Sequence, residues 1–272
     1  MSVKAIMCDV DETLLGKKGF VTERTVIAIR EARAEGYLFG LCTGRDVHSV
    51  KDLLKSWHID GMVDAIVGTG GAEICDLTKG IEQQSYPLNG EYIREIMSHY
   101  SGMNVNFAIP WQGKLYAPKE DMFIKLLSKA DHIPYQVVDY DQFLKEPRPK
   151  LMIICNPLLM NKVIERAAAI HSDQYKSAAL KTASILYEFM DPRISKTHGL
   201  QQIMELHGWA MENLLSFGDE DNDIDMLLNS GIGVAMANGS EKAKKAADAV
   251  TGDCNHDGIA EYLEEHLLKK HS

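Results

Sequence analysis

The sequence predicts an α/β fold, a Rossmann-like parallel-sheet core interrupted by an inserted α+β domain. Three observations carry this. Apolar β-type runs alternate with helical patterns in the N-terminal part, and the same alternation returns near the C-terminus. Between them, short strands and helices follow a different order, punctuated by prolines at 110, 118, 134, 147 and 149.

Taken in order, VKAIMCD is rich in residues that favour a buried strand. A helical pattern follows over 22–35, with Thr22 placed to cap its start and Gly36 to end it. YLFGLCT is the second strand, 47–57 the second helix and AIVGT the third strand. Crossovers of this length join parallel neighbours and leave helices on both faces of the sheet. GTGGAE comes next. It lacks the Lys-Ser/Thr of a phosphate loop and carries Glu73 at the last glycine of GxGxxG, so it reads as a turn entering a hairpin.

The insertion holds the helical segments EYIREIMSHY and NKVIERAAAI and the strands MNVNFAI, KLMIICN and ILYEFM, with the prolines marking turns. The chain therefore divides into a first core segment, 1–84, an inserted domain, 85–190, and a second core segment, 191–272. In the last of these, THGLQQIMELHG is a helix, LLSFGD a strand, DIDMLLNSG a short helix, GIGVAM a strand and SEKAKKAAD a polar helix.

The 272 residues, 45% of them hydrophobic, suffice for a large core. Lys+Arg 29 against Asp+Glu 39 gives a formal charge of −10, and without a basic patch this disfavours nucleic acid and anionic membrane surfaces as partners. MSVKAIM does not read as a signal peptide and no stretch approaches a membrane span, so a cytoplasmic protein is expected. Cys8, Cys42, Cys75, Cys155 and Cys254 are odd in number and form no CxxC pair, which predicts reduced core thiols. His198 and His207 read as surface or capping residues, and Trp111, Tyr116, Tyr135 and Tyr140 as core of the insertion or, less favoured for any one of them, as substrate contacts.

In open parallel sheets, ligands bind beyond the carboxyl ends of the strands. Polar groups gather at those places: Asp9, Asp11 and Thr13 after the first strand, Thr43, Gly44 and Arg45 after the second, Lys196 after the insertion, and Asp219 to Asp225 after LLSFG. Each cluster alone reads as a turn, a cap or a solvated face. Together, carboxylates from two strand ends would repel unless a hard cation lay between them, and Mg²⁺ suits that role. Thr43 and Lys196 then offer donors to a phosphate, which describes a phosphoryl-transfer site.

On four motifs the sequence resembles the haloacid dehalogenase (HAD) superfamily of phosphatases, in its Cof-type branch with a large inserted cap. DxDx[TV] is matched by Asp9-Val10-Asp11-Glu12-Thr13, and hydrophobic-[ST]-G-R by Cys42-Thr43-Gly44-Arg45. The lysine before a helix is matched by Ser195-Lys196, and GDxxNDxxML by Gly218 to Leu227. The resemblance implies that Asp9 is a nucleophile forming an aspartyl-phosphate and Asp11 the general acid and base. It implies that Asp9, the backbone carbonyl of Asp11, and Asp219 hold Mg²⁺ with Asp223 in support, and that the Val10 backbone, Thr43, Gly44, Lys196 and Asn222 bind phosphate. Strand alternation agrees, since residues i and i+2 point the same way and would let Asp9 and Asp11 reach one phosphorus.

Two positions depart from the pattern: Glu12 stands where the family usually has glycine, and Gly70 where many members carry asparagine. The expected activity is Mg²⁺-dependent hydrolysis of small phosphorylated metabolites, such as sugar phosphates or pyridoxal phosphate. A phosphomutase or phosphotransferase on the same aspartyl-phosphate, or a non-catalytic phosphometabolite sensor, are the other readings.

Overall fold

The first apolar run forms β1 (Ala5–Cys8), and its alternation decides the layering around it. Ile6 and Cys8 pack on one face of the sheet, Ala5 and Met7 on the other, and all four are fully buried. The structure, a computed structural model, describes residues 2–170 and 177–268. Contacts divide it into two compact units, Met1–Gln83 with Ser195–Ser272, and Gln84–Ile194.

The first unit continues through α1 (Glu23–Ala34), β2 (Leu38–Cys42), α2 (Val47–Leu53), β3 (Ala65–Gly68), β4 (Glu73–Asp76) and β5 (Ile81–Gln84). Thr22 caps α1 by accepting the Thr25 amide, and Asp46 caps α2 by accepting the Ser49 amide. The predicted 47–57 helix is shorter because residues beyond Leu53 turn to bring Trp57 and Ile59 into the core.

The second unit comprises α3 (Gly90–His99), β6 (Val105–Trp111), β7 (Lys114–Ala117), α4 (Met122–Asp131), β8 (Tyr135–Val137), α5 (Tyr140–Phe143), β9 (Leu151–Cys155), α6 (Met160–Ala167), β10 (Ala178–Ala183) and β11 (Leu186–Met190). The chain then returns to the first unit with α7 (Lys196–Leu206), β12 (Leu214–Gly218), α8 (Ile224–Asn229), β13 (Ile232–Met236), α9 (Glu241–Ala246), β14 (Ala249–Thr251) and α10 (Gly258–His266).

The core sheet runs β14-β13-β12-β1-β2-β3-β4-β5. Its strands from β14 to β3 are parallel, and β4 reverses to pair antiparallel with β3, as a hairpin after AIVG requires. One face is covered by α1, α2 and α10 through Val26, Ile29, Val50, Ile259 and Leu263, the other by α7 and α8 through Leu200, Ile203 and Met226. No helix among the described residues is long and apolar enough to cross a membrane. All five cysteines are buried free thiols.

The inserted sheet has the order β10-β11-β9-β6-β7-β8, antiparallel except where β8 joins β7. One correction concerns Pro110, expected in a turn but found inside β6 opposite Leu115. Strand β6 pairs with β9 only as far as Ala108, so the imino nitrogen of Pro110 sits where β6 no longer has a neighbour on both sides.

This unit also buries an ion pair, Lys150 Nζ 2.9 Å from Glu188 Oε2. Removing one partner strands a charge away from water, which typically costs about 3–5 kcal/mol, whereas an apolar pair of similar volume avoids both desolvation penalties. Urea unfolding should therefore show Glu188→Leu losing about that amount and the Lys150→Met, Glu188→Leu double variant regaining most of it. A single variant as stable as the parent would show that the pair contributes nothing.

Candidate active site

Because β1 lies between β12 and β2, the loops leaving these three strands meet at one edge of the sheet. Asp9 follows β1 and its amide donates to the Phe217 carbonyl at 2.9 Å. Asp219 follows β12, and Thr43 follows β2 with its amide on the Val67 carbonyl at 2.8 Å. Lys196 opens α7, which Ser195 caps by accepting the His198 amide at 3.2 Å.

Seating that helix start is what the glycine-rich segment after β3 does. A Cβ on Gly71 would lie 1.8 Å from the Ser195 carbonyl oxygen, and Gly71 holds φ at 107°, a region open to glycine. Glu73 is buried and accepts from Thr69 Oγ1 at 2.7 Å and the Val47 amide at 3.2 Å. It ties the turn to α2.

Lys196 Nζ lies 2.5 Å from Asp9 Oδ1 and 2.5 Å from Asp223 Oδ1, with its side chain 3% exposed. The other oxygen of Asp223 accepts the amides of Asp219 at 2.9 Å and Glu220 at 3.1 Å. Its approach depends on Gly218, where a Cβ would come within 2.6 Å of the Asp223 Cβ. Asp219 Oδ1 accepts from Thr13 Oγ1 at 2.6 Å.

Carboxylate oxygens of Asp9, Asp219 and Asp223 all lie within 4.8 Å of one another, and all three residues are buried. Burial pushes the Asp9 carboxyl up, against the pull of Lys196 and with the push of Asp223. Asp219 is pushed up to about 7 by burial, opposed by the Thr13 hydrogen bond and reinforced by Asp223 and Glu220. Burial works against the charge on Lys196, but Asp223 and Asp9 outweigh it and hold the ammonium protonated. Three carboxyls grouped around this ammonium make a buried, oxygen-lined site in which burial resists their ionising together, and a cation would relieve that. That donor set fits a hard divalent cation.

The structure thus gathers Asp9, Lys196, Asp219 and Asp223, with Thr43 buried at the adjacent strand end. Val10 buries its side chain in the core, and its carbonyl accepts the amides of Leu14 at 3.1 Å and Leu15 at 2.8 Å. Gly44 and Asn222 lie at the surface.

Asp11 differs from the alternation argument. Strand β1 ends at Cys8 and the chain turns at Val10, so period two no longer applies, and the Asp11 carboxylate is exposed and paired with Arg45. Thr13 and Arg45 had no role assigned from sequence, although both lie inside the motifs quoted for it.

Other expectations divide. His207 ends α7 as a cap but is half-buried rather than on the surface, because its Nε2 lies 2.6 Å from the fully buried Asp76. Burial pushes the Cys8 thiol well up, which leaves it unreactive. Tyr140 is core, its hydroxyl donating to the Tyr116 carbonyl at 2.7 Å, and Tyr116 stacks on Phe143. Glu12 is exposed with φ at 64°, so the position does take the left-handed backbone that glycine favours. Asn238 Nδ2 donates to its carbonyl at 2.7 Å.

The chain and its fold have counterparts among known proteins. Residues 6–263 match the profile of the haloacid dehalogenase-like hydrolases. YxeH of Bacillus subtilis, which carries a provisional phosphatase name, is 28% identical over 98% of this chain and 99% of its own. The crystal structure of a haloacid dehalogenase-like hydrolase from Bacteroides thetaiotaomicron superposes with a TM-score of 0.87 at 22% identity, covering 97% of this chain and 99% of that one. A HAD subclass IIB sugar phosphatase superposes at 0.80 with 20% identity, covering 97% and 98%.

Proposed function

The chain belongs to the haloacid dehalogenase-like hydrolase family, and on that premise we propose that it is an Mg²⁺-dependent phosphomonoesterase of small metabolites, sugar phosphates foremost. The observation that carries this is the buried Asp9, clamped by Lys196 at the end of β1 and within 4.8 Å of the carboxylates of Asp219 and Asp223. The likeness to a structure named as a sugar phosphatase supports the substrate class. Substrate selection is assigned to the inserted domain, 85–190, by likeness to the capped branch of the family.

In this reading a carboxylate oxygen of Asp9 attacks phosphorus and the bond to the ester oxygen breaks. Asp11 gives its proton to that oxygen, releasing the alcohol. Water then attacks the aspartyl-phosphate and yields a proton to Asp11, and cleavage of the P–O bond to Asp9 returns its carboxylate with inorganic phosphate. The Val10 backbone, Thr43, Gly44, Lys196 and Asn222 hold the phosphoryl oxygens, with Lys196 supplying fixed positive charge. Mg²⁺, held by Asp9, the Asp11 carbonyl, Asp219 and Asp223, would neutralise charge on the phosphoryl oxygens.

Phosphate release from sugar phosphates, nucleotides and pyridoxal phosphate, with Mg²⁺ and with chelator, tests the proposal. Release that needs the metal and is highest on sugar phosphates is expected. Transfer of the phosphoryl group without free phosphate would make the protein a mutase, and no turnover of any substrate would leave it a sensor.

A further inference from the structure

We infer that Arg45 is a positioning residue for Asp11, its guanidinium fork fixing the carboxyl that gives and takes the proton of the reaction; this rests on the phosphatase reading above. Arg45 Nε lies 3.0 Å from Asp11 Oδ2, and Nη2 lies 3.0 Å from Oδ1. The two partners are unequal. Asp11 sits on the turn beyond β1 with its side chain 57% exposed, whereas that of Arg45 is 17% exposed.

The arginine is also the anchored partner along its backbone. Its carbonyl accepts the Thr69 amide at 2.7 Å, and its own amide donates to Thr43 Oγ1 at 3.3 Å. Thr69 is itself buried and bonded to Glu73. The Trp57 ring lies 5.9 Å from the guanidinium carbon. Arg45 is thus built on the loops after β2 and β3, and it reaches across to a carboxylate that its own turn leaves solvated.

Proton transfer demands that arrangement. A carboxyl on an exposed turn samples several rotamers, and only those aimed at the ester oxygen are productive. Two parallel hydrogen bonds fix both position and plane, which a lysine, with its point charge on a flexible stem, does not reproduce. Asp9, Asp219 and Asp223 are held by other groups, Lys196, Thr13 and the backbone amides after β12. The Arg45 fork therefore acts on the proton donor, while other groups hold the nucleophile and the acidic cluster.

The test uses two substrates that differ in their need for that proton: an alkyl phosphate, whose leaving oxygen is strongly basic, and p-nitrophenyl phosphate, whose leaving group departs without it. Because Asp11 also serves the later hydrolysis of the aspartyl-phosphate, which both substrates share, the comparison is read in kcat/KM, which stops at release of the leaving group: Arg45→Ala should lower it about 10- to 100-fold on the alkyl phosphate and far less on p-nitrophenyl phosphate. Arg45→Lys should recover little of the loss. In an Asp11→Asn background, Arg45→Ala should change kcat/KM by less than about twofold, because the group it positions is already gone. An equal loss of kcat/KM on both substrates, restoration by lysine, or a loss that multiplies that of Asp11→Asn would overturn the inference and make Arg45 a charge on the substrate or a scaffold residue. Wild-type protein inactive on both substrates would instead overturn the phosphatase reading, and this inference with it.

Discussion

Asp9→Asn should abolish phosphate release, by about 10⁴-fold or more, while the protein folds as before. Asparagine keeps the volume of the side chain and an oxygen that still accepts from Lys196, so the packing at the end of β1 survives. On the phosphatase reading proposed above, what is lost is the nucleophile. Burial already opposes ionisation of Asp9, so the neutral amide removes an unfavourable charge and the thermal midpoint should hold or rise. Phosphate release together with a circular dichroism melt checks both halves. Turnover near that of the parent would remove Asp9 from the nucleophile's role.

Lys196→Ala should carry the second-largest effect and show it twice. The ammonium lies 2.5 Å from both Asp9 and Asp223, so its loss takes that fixed positive charge away from the buried acids. Transition-state stabilisation should fall by about 10²- to 10³-fold in kcat, as when one preorganised donor is removed. With chelator present, the uncompensated carboxylates should also cost about 3–5 kcal/mol of stability. Mg²⁺ should return part of that through binding to the folded state. Melts with Mg²⁺ and with chelator, beside kcat/KM, separate the two contributions. Unchanged kcat/KM would place Lys196 outside the reaction.

Much of this protein is legible from local pattern. The apolar runs VKAIMCD and AIVGT read as strands, and β1 and β3 form within them, while Thr22 caps α1 because a hydroxyl before a helical pattern has an orphan amide to accept. Strand β14 and helix α10, and in the insertion α4 with β7, β8 and β10, were not foreseen. β14 has three residues, and β7 four. A strand that short owes its existence to the neighbour it pairs with, and periodicity cannot register a neighbour.

The site divides in the same way. By itself the sequence determined which chemical groups stand at the strand ends, Asp9, Thr43, Lys196, Asp219 and Asp223, because residue type and chain order are local facts. Only the tertiary structure decided which of them touch. Lys196 meets Asp9 across 187 positions, Thr13 meets Asp219 across 206, and Arg45 meets Asp11 across 34. Those encounters follow from the order β12-β1-β2 and from the close seating of α7 on Gly71. The same geometry turns the Asp11 carboxylate to Arg45 rather than along the direction of Asp9, since the strand that would align the two ends at Cys8. Spacing along the chain constrains direction only while the backbone stays regular; beyond that point, packing chooses the partner.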